Sequence, residues 1–219
     1  MRPLALVLLT ASTLWLAPVA RAQLAVTADA SAGPSLTTLG ASGTVEVASV
    51  PIPLGRVDFP TSVGVDARAR LDVHGPVWGG RVGVGYLSAS DVFDGASIFE
   101  QEGVDVAFVL ASGELTVRQP YGPGEVVLGP EVRVLLDEGS AERGLLRYLG
   151  DVRQSHVALG ASVGARFDVG GVLLGPELRG GLALTPLSDD RVEVLGGTVR
   201  LGGDFRFDHV SLSLTVATP

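Results

Sequence analysis

A histidine and its neighbouring serines are the residues of this sequence that could carry out nucleophilic chemistry. His156 begins a segment of alternating polar and apolar residues, with Ser155 beside it and Ser162 six positions further on. A lipid hydrolase embedded in a barrel would need a serine, a histidine and an acid to meet on one external patch. Nothing in the spacing requires such a meeting, so a lipid-modifying enzyme is kept as an alternative and no catalytic residue is assigned.

Clustered carboxylates are the second feature that could carry chemistry, because they could hold a metal ion. The segment 91–102 contains Asp91, Asp94, Glu100 and Glu102. Their spacing is not that of an EF-hand, so an acidic surface loop is the preferred interpretation. The sequence also has no zinc-ligand spacing, no phosphate-binding glycine loop and no nucleophile elbow. We therefore expect neither a metal nor a cofactor.

Arginines and acids recur on the polar side of segments in which polar and apolar residues alternate. A charge held away from bulk water costs several kcal/mol unless it is paired, so this mixture predicts ion pairs. If the segments close into a narrow barrel, these side chains face its lumen; on a soluble sheet they form a solvated face. The predicted lumen-facing residues are Asp66, Arg68, Arg70, Asp72, Arg81, Asp105, Glu114, Arg118, Glu131, Arg133, Arg166, Asp168, Glu177, Arg179, Asp204 and Arg206.

The alternation predicts the elements that position these charges. Between Ser62 and His74, valine, alanine and leucine occupy every second position, and mostly charged residues occupy the others. A β-strand places successive side chains on opposite faces, so this segment has one apolar wall and one charged wall. The apolar wall from Val63 to Val73 covers 11 residues, the length that a tilted transmembrane strand needs.

Hairpins with this pattern recur along the chain. Tight turns are predicted at 74–76, at 120–124, at Gly170-Gly171 and at Asp208-His209. Val104, Val106, Phe108 and Leu110 continue the apolar face of one strand, but the phase changes at Ser112-Gly113, which indicates a β-bulge or a separate tight hairpin. Further strands are expected near Leu24–Ala30 and Val45–Val47.

Repeated sequence and loop length predict how the hairpins are connected. The order Leu-Gly-Pro-Glu-x-Arg occurs at 128–133 and again at 174–179. A hairpin unit that recurs every roughly 40 to 50 residues favours an up-and-down meander. Longer connections at 91–102, 137–155 and 186–191 lie at the ends opposite the tight turns, an asymmetry typical of outer-membrane barrels. These loops are candidates for contacts with other proteins.

Composition and the first residues predict where the protein resides. Arg2, the apolar stretch Leu4–Ala17 and Ala20-Arg21-Ala22 together predict a cleavable signal peptide over residues 1–22. We expect residues 23–219 to form a single β-barrel domain. The chain has no cysteine, and a net charge of −8 argues against a nucleic-acid partner. Mean hydropathy is +0.39, yet no second long apolar run exists, so apolar residues are spread as in barrel strands.

With these features the chain resembles small bacterial outer-membrane β-barrels, similar in kind to the outer-membrane protein A transmembrane domain and its eight- to ten-stranded relatives. The resemblance covers roughly Gln23 to Val216 and rests on the signal peptide, the alternation and the loop asymmetry. It implies an all-β, up-and-down antiparallel meander that closes into a transmembrane β-barrel of about 8–10 strands. The resemblance also implies that the protein resides in the outer membrane of a Gram-negative-type bacterium and that its partner is membrane lipid.

Two function classes remain beside the enzyme hypothesis. The leading prediction is an outer-membrane barrel that is structural or weakly pore-forming, with no catalytic activity, no cofactor and no indicated oligomeric state. The alternative is a secreted or periplasmic soluble β-sandwich or open barrel that binds a ligand. Pro130 and Pro176 support this alternative, because a proline inside a strand removes one donor from the ladder.

Overall fold

Ten antiparallel strands form the fold in the computed structural model, which describes residues 24–47, 50–58, 61–92, 104–137, 155–185, 191–194 and 199–218. Eight of them, all except the second and the ninth, pair in chain order, and the last pairs back with the first. The predicted all-β meander that closes into a barrel is therefore confirmed. The strands are β1 (Ala25–Val47), β2 (Val50–Asp58), β3 (Ser62–His74), β4 (Trp78–Val92), β5 (Val104–Tyr121), β6 (Gly124–Asp137), β7 (Ser155–Asp168), β8 (Leu173–Ala183), β9 (Arg191–Val194) and β10 (Val199–Ala217).

Three tight turns lie at one end of the barrel, together with the start of β1 and the end of β10. They connect β3 to β4, β5 to β6 and β7 to β8. In the last of them Gly170 and Gly171 have φ angles of 66° and 88°, and the Val169 amide donates to the Val172 carbonyl at 2.8 Å. Two positive φ angles define the hairpin turn whose twist matches that of its strands, which is why glycine occupies both positions. We call this end the turn end and the other the loop end.

The predicted turn at Asp208-His209 is wrong. Thr37 pairs with His209 and Thr38 with Asp208 in the β1–β10 ladder, which is continuous from Ser35↔Ser211 to Val47↔Val199. Aspartate and histidine are common in turns, but here the long strand β1 offers them a partner at every position. The two segments expected near Leu24–Ala30 and Val45–Val47 are likewise parts of the single strand β1.

The predicted bulge at Ser112-Gly113 is also wrong. Strand β5 keeps one register with β4, from Val84↔Ala111 to Arg81↔Glu114, and its register with β6 is equally constant. The apolar phase changes because Val106, Phe108 and Leu110 are buried inside the barrel. An apolar residue that faces the lumen looks the same in the sequence as one that faces lipid.

Both repeats of the Leu-Gly-Pro-Glu order lie in strands without a bulge. The β5–β6 ladder has no pair at Gly129 and Pro130, yet it resumes in the same register on either side of them. A Cβ atom at Gly129 would lie 1.9 Å from the Leu115 carbonyl oxygen, and one at Gly175 would lie 1.7 Å from that of Ala165. The glycine lets the neighbouring strand approach, and the exposed proline of the repeat lies on the outer wall, so the barrel accommodates both prolines.

Beyond the barrel at the loop end, β1 and β10 continue together and gain new neighbours. Strand β2 pairs with β1 from Gly40↔Asp58 to Val47↔Val50, and β9 pairs with the start of β10. We call the resulting four-stranded segment the rim sheet. Its register places aliphatic residues opposite one another in two rows, namely Ile52–Val45–Leu201–Val192 and Val50–Val47–Val199–Val194.

Candidate functional site

The outer wall of the barrel is apolar. On β3, Val63, Val65, Leu71 and Val73 are between 45% and 60% exposed, whereas Asp66 and Asp72, which alternate with them, are fully buried. The apolar face is therefore the outside of a single closed layer. In a soluble β-sandwich the apolar face would be covered by a second sheet, so the sandwich alternative is wrong for the described residues.

The apolar wall has a definite edge at the loop end. Leu36 pairs with Val210, and both are exposed on the outside; the next outward pair is Thr38↔Asp208. In the other direction the outward apolar residues of β1 continue to Leu24, which is 71% exposed. At about 3.3 Å per residue and a strand tilt of about 40°, the segment from Leu24 to Leu36 spans about 30 Å, the thickness of a bilayer hydrocarbon core.

Aromatic side chains mark the turn end of the same wall. Trp78 is 54% exposed, Tyr121 70% and Phe167 40%. Each belongs to one of the three hairpins and lies beside its tight turn. Aromatic rings prefer the boundary between hydrocarbon and water, so this arrangement is typical of an interfacial girdle. In the described residues, no helix is long and apolar enough to cross a membrane.

The lumen contains the charged residues. The structure places twelve of the sixteen predicted residues there, all buried. Asp29 and the half-buried Glu125 join them in the same network. Within the described lumen, seven arginines and seven carboxylates therefore balance in formal charge: Arg68, Arg70, Arg81, Arg118, Arg133, Arg166 and Arg179 against Asp29, Asp66, Asp72, Glu114, Glu125, Glu131 and Glu177.

Glu177 is the carboxylate with the most partners in the middle of this network. Arg70 donates to it twice, from Nη1 at 2.7 Å and from Nη2 at 2.8 Å. Arg179 Nε donates at 2.9 Å and the Thr215 hydroxyl at 2.9 Å, while Arg81 Nη1 lies 3.5 Å away. Buried carboxylates need several donors to offset the loss of water, and Glu177 has them from four strands.

A second group of charges lies nearer the turn end. Asp29 accepts from Arg70 Nε at 2.5 Å and from Arg166 Nη2 at 2.9 Å. Asp72 accepts from Arg81 Nε at 3.1 Å and also from Arg118. Arg118 Nη1 in turn donates to Glu125 at 2.6 Å. Asp29 and Asp72 therefore each lie between two guanidinium groups.

A third group lies toward the loop end. Arg68 donates to both oxygens of Asp66, at 2.7 and 2.9 Å, and also to Glu131. Arg133 Nη2 donates to Glu131 at 2.5 Å, and its Nη1 contacts His209. The chain of contacts leads from β3 through β6 to β10. Because these strands are not neighbours, the Arg68–Glu131 ion pair and the Arg133–His209 contact cross the lumen.

Apolar side chains fill the lumen at the loop end. Leu87, Phe108 and Leu110 are fully buried, and Leu135 is 1% exposed. The rings of Phe108 and Phe207 pack edge to face with centroids 5.1 Å apart, and Phe108 meets His156 at 6.0 Å. We call Leu87, Phe108, Leu110, Leu135 and Phe207 the apolar plug. Phe108 and Phe207 thus face inward, unlike the exposed aromatic residues at the turn end of the outer wall.

Four of the predicted lumen residues are not placed in the lumen. Asp105 and Arg206 are exposed and lie near the loop end. Asp168 is exposed beside the β7–β8 turn, where its Oδ1 accepts from the Gly171 amide at 2.9 Å. The strand phase is the physical reason for Asp105 and Arg206, because their neighbours Val106 and Phe207 face inward. The side chain of Asp204 is not among those that the structure describes.

Sequence reasoning missed several polar partners. Asp29, Ser162, Ser211 and Thr215 all donate to or accept from the lumen charges. For Asp29 a signal existed: Thr27, Ser31, Ser35 and Thr37 share its parity on β1, and all are buried. Short polar side chains at every second position are the lumen face of a strand that lacks arginine.

The residues of the enzyme hypothesis do not meet. His156 and Ser162 are 2% and 5% exposed and lie on the lumen side of β7. Six residues along a strand separate them by about 20 Å, and the Ser162 hydroxyl donates to Glu114. Residues 93–103 and 138–154, which include the acidic loop and most of the longest connection, lie outside the described residues, as do residues 1–23. Among described residues, no group of three or more His, Asp or Glu could hold a metal ion.

Comparison with known proteins supports the fold. No protein-family model matches the sequence, and no curated protein matches it. The outer membrane protein OprG from Pseudomonas aeruginosa has a similar structure, with a TM-score of 0.51 and 9% identity over 86% of this chain and 95% of that chain. Neisserial surface protein A has a TM-score of 0.40 and 13% identity over 85% of this chain and 97% of its own. The outer membrane protease OmpT of Escherichia coli has a TM-score of 0.40 and 9% identity, over 92% and 99%. At such low identity the likeness to OprG establishes the fold: this chain has an outer-membrane β-barrel fold, as its alternation predicted.

Proposed function

We propose that this protein is a structural component of the outer membrane, a closed barrel that anchors the rim sheet and the loops at one membrane surface without conducting solutes. The observation that carries the proposal is the set of ion pairs that cross the lumen. Arg70 of β3 binds Glu177 of β8, and Arg68 of β3 binds Glu131 of β6. Such pairs occupy the space through which a solute would have to pass.

Two barriers in series support the absence of conduction. An eight-stranded barrel has an interior just wide enough for side chains to fill. Here its middle and its turn end are filled by balanced charges, and its loop end by the apolar plug. Water and ions would have to displace both buried ion pairs and packed aromatic rings, so a permanent pore is disfavoured.

The membrane location is supported by the outer wall. Its apolar residues span about 30 Å along β1 between Leu24 and Leu36, and the aromatic residues lie beside the tight turns. Exposed to water, such a wall would cause aggregation. We also propose that the protein has no catalytic activity, because His156 and Ser162 are buried in the lumen, where His156 packs against Phe108 and Ser162 donates to Glu114.

Fractionation tests the location. We expect the protein in the outer-membrane fraction, extracted only by detergent, with gel migration that changes on heating because a closed barrel resists dodecyl sulfate until heated. Recovery as a soluble periplasmic protein would contradict the proposal.

Planar-bilayer recording tests the closed lumen. We expect no conductance steps from the native chain. A variant that carries Phe108→Ser, Arg70→Ser and Glu177→Ser removes parts of both barriers, so it should produce steps and thereby prove that the barrel inserts. Steps from the native chain would favour the weakly pore-forming function instead.

A further inference from the structure

A groove of about 820 Å³ crosses the outer wall of the barrel over β7, β8, β10 and β1. It lies where the apolar wall ends, because its lining includes both Leu36 and Thr38 of β1. One end of the groove therefore faces hydrocarbon and the other end faces the polar membrane surface. If the barrel lies in the outer membrane as proposed, any molecule that fills this groove must combine an apolar part with a polar part.

Small residues form the apolar end. Ala161 of β7 pairs with Gly180 of β8, and both lie on the outer wall. A Cβ atom at Gly180 would meet nothing within 4 Å, so no internal packing requires glycine there. We call the outward gap at Ala161 and Gly180 the notch. The neighbouring pair is Leu159↔Leu182, whose side chains are 47% and 64% exposed and project beside the notch. A notch beside leucine side chains has the shape that a lipid acyl chain fills.

Hydrogen-bonding oxygens form the polar end. The hydroxyls of Thr38 and Thr61 lie 3.3 Å apart. Asp208 is adjacent to Thr38 in the ladder, and one of its carboxylate oxygens accepts from the Ala183 amide at 3.0 Å. All three line the groove, whose described lining residues include no arginine. Carboxylate and hydroxyl oxygens bind hydroxyl and N–H donors, whereas a phosphate group would meet the like charge of Asp208.

A second groove on the same wall has no such polar end. It has a volume of about 750 Å³ and extends over β10, β1, β3, β4 and β5; its outward residues include Ala30, Ala32, Ala67, Ala69 and Tyr86. It lies wholly within the apolar wall and can take an acyl chain but no headgroup. The two grooves are thus matched in size and differ in the polar end.

We propose that the first groove binds a glycolipid of the leaflet at the loop end, with an acyl chain in the notch at Gly180 and sugar hydroxyls at Thr38, Thr61 and Asp208. This inference rests on the proposed membrane location. Binding would hold a specific lipid against the seam between β8, β10 and β1, where the rim sheet begins.

Native mass spectrometry of the full chain in nanodiscs tests the inference. The probe is monogalactosyl diacylglycerol in a background of dioleoyl phosphatidylcholine. We expect the native protein to retain the galactolipid in preference to the phospholipid. Gly180→Leu fills the notch and should reduce retention about tenfold, equivalent to about 1.4 kcal/mol. Thr38→Val should remove the preference for the galactolipid.

Two matched variants control for the change in the wall. Gly113→Leu adds the same side chain at another open outward position on β5, and Ala69→Leu fills the second groove; both should retain the galactolipid. Equal retention by Gly180→Leu and the native chain, or equal retention of both lipids by the native chain, would overturn the inference. A chain that fails to enter nanodiscs would instead overturn the membrane location, so the two failures are distinguishable.

Discussion

Arg70 of β3 and Glu177 of β8 meet inside the barrel in two parallel hydrogen bonds, of 2.7 and 2.8 Å. A bidentate arginine–carboxylate pair is the strongest form of such a contact. Both residues are less than 5% exposed, so neither charge can turn to water when its partner is lost. Because β3 and β8 are not neighbours, the pair connects separate parts of the barrel wall.

The first prediction concerns this pair. Glu177→Ala should lower the free energy of unfolding by about 3–5 kcal/mol, since it removes the buried carboxylate that Arg70 and Arg179 share. Arg70→Ala should cost a similar amount, and the double variant should cost clearly less than the sum. Urea unfolding in lipid vesicles measures all three.

The exposed Gln119 provides the control for this cycle. Gln119→Ala should change the unfolding free energy by no more than about 0.5 kcal/mol. Strictly additive effects of the Arg70 and Glu177 substitutions would show that the two side chains do not interact.

The second prediction compares the apolar plug with the outer wall. Phe108→Ala should cost about 3–5 kcal/mol, because it leaves a cavity beside Phe207 and Leu110. Val109→Ala, one position along the same strand, should cost much less, because lipid can move into the space left on the outside. Unfolding of both variants in vesicles tests the difference; equal losses would mean that the strand phase of β5 is misassigned.

The third prediction concerns the repeated glycine. Gly175→Ala should destabilise the barrel by about 1–3 kcal/mol, because the new Cβ atom overlaps the Ala165 carbonyl oxygen and must push the strands apart. Gly129→Ala should behave alike. Gly113→Ala, where a Cβ atom meets nothing within 4 Å, is the matched control and should be tolerated. If all three variants unfold at the same urea concentration, close strand approach does not explain the repeat.

The fourth prediction concerns the edge of the apolar wall. Leu214→Arg places a charge in the hydrocarbon region and should cost about 2–4 kcal/mol, whereas Thr38→Arg lies at the polar surface and should cost about 0–1 kcal/mol. Stability in vesicles is the measurement. Similar costs at both positions would shift the predicted membrane boundary.

Local alternation was sufficient to predict most of the barrel wall. Between Ser62 and His74 the type of each residue indicates whether it faces the lumen or the outer wall. The repeats at 128–133 and 174–179 place Glu131 and Glu177 in corresponding positions. The same rule failed on β5, because lumen and lipid both accept leucine and phenylalanine. Whether an apolar residue of β5 faces the lumen or the lipid is determined only by the strands with which β5 pairs and by the side chains across the lumen.

Long-range pairing explains what else the sequence did not predict. Asp208-His209 has turn-forming residues, but the extended partner β1 keeps it in a strand. The rim sheet forms because β1 and β10, which are far apart in sequence, pair beyond the barrel, and each then pairs with its neighbour in the chain, β2 or β9. Likewise, the lumen charges could be predicted, but the partner of each charge depends on the barrel register.

Lipid contact of the outer wall is the central claim, and spin-label accessibility tests it most directly. The chain has no cysteine, so single cysteines at Val65, Ala67, Ala69 and Leu71 can each carry one nitroxide. In vesicles, all four labels should collide readily with oxygen, which concentrates in hydrocarbon, and rarely with a water-soluble nickel complex. Labels that the nickel complex reaches, or that neither reagent reaches, would contradict a wall in contact with lipid.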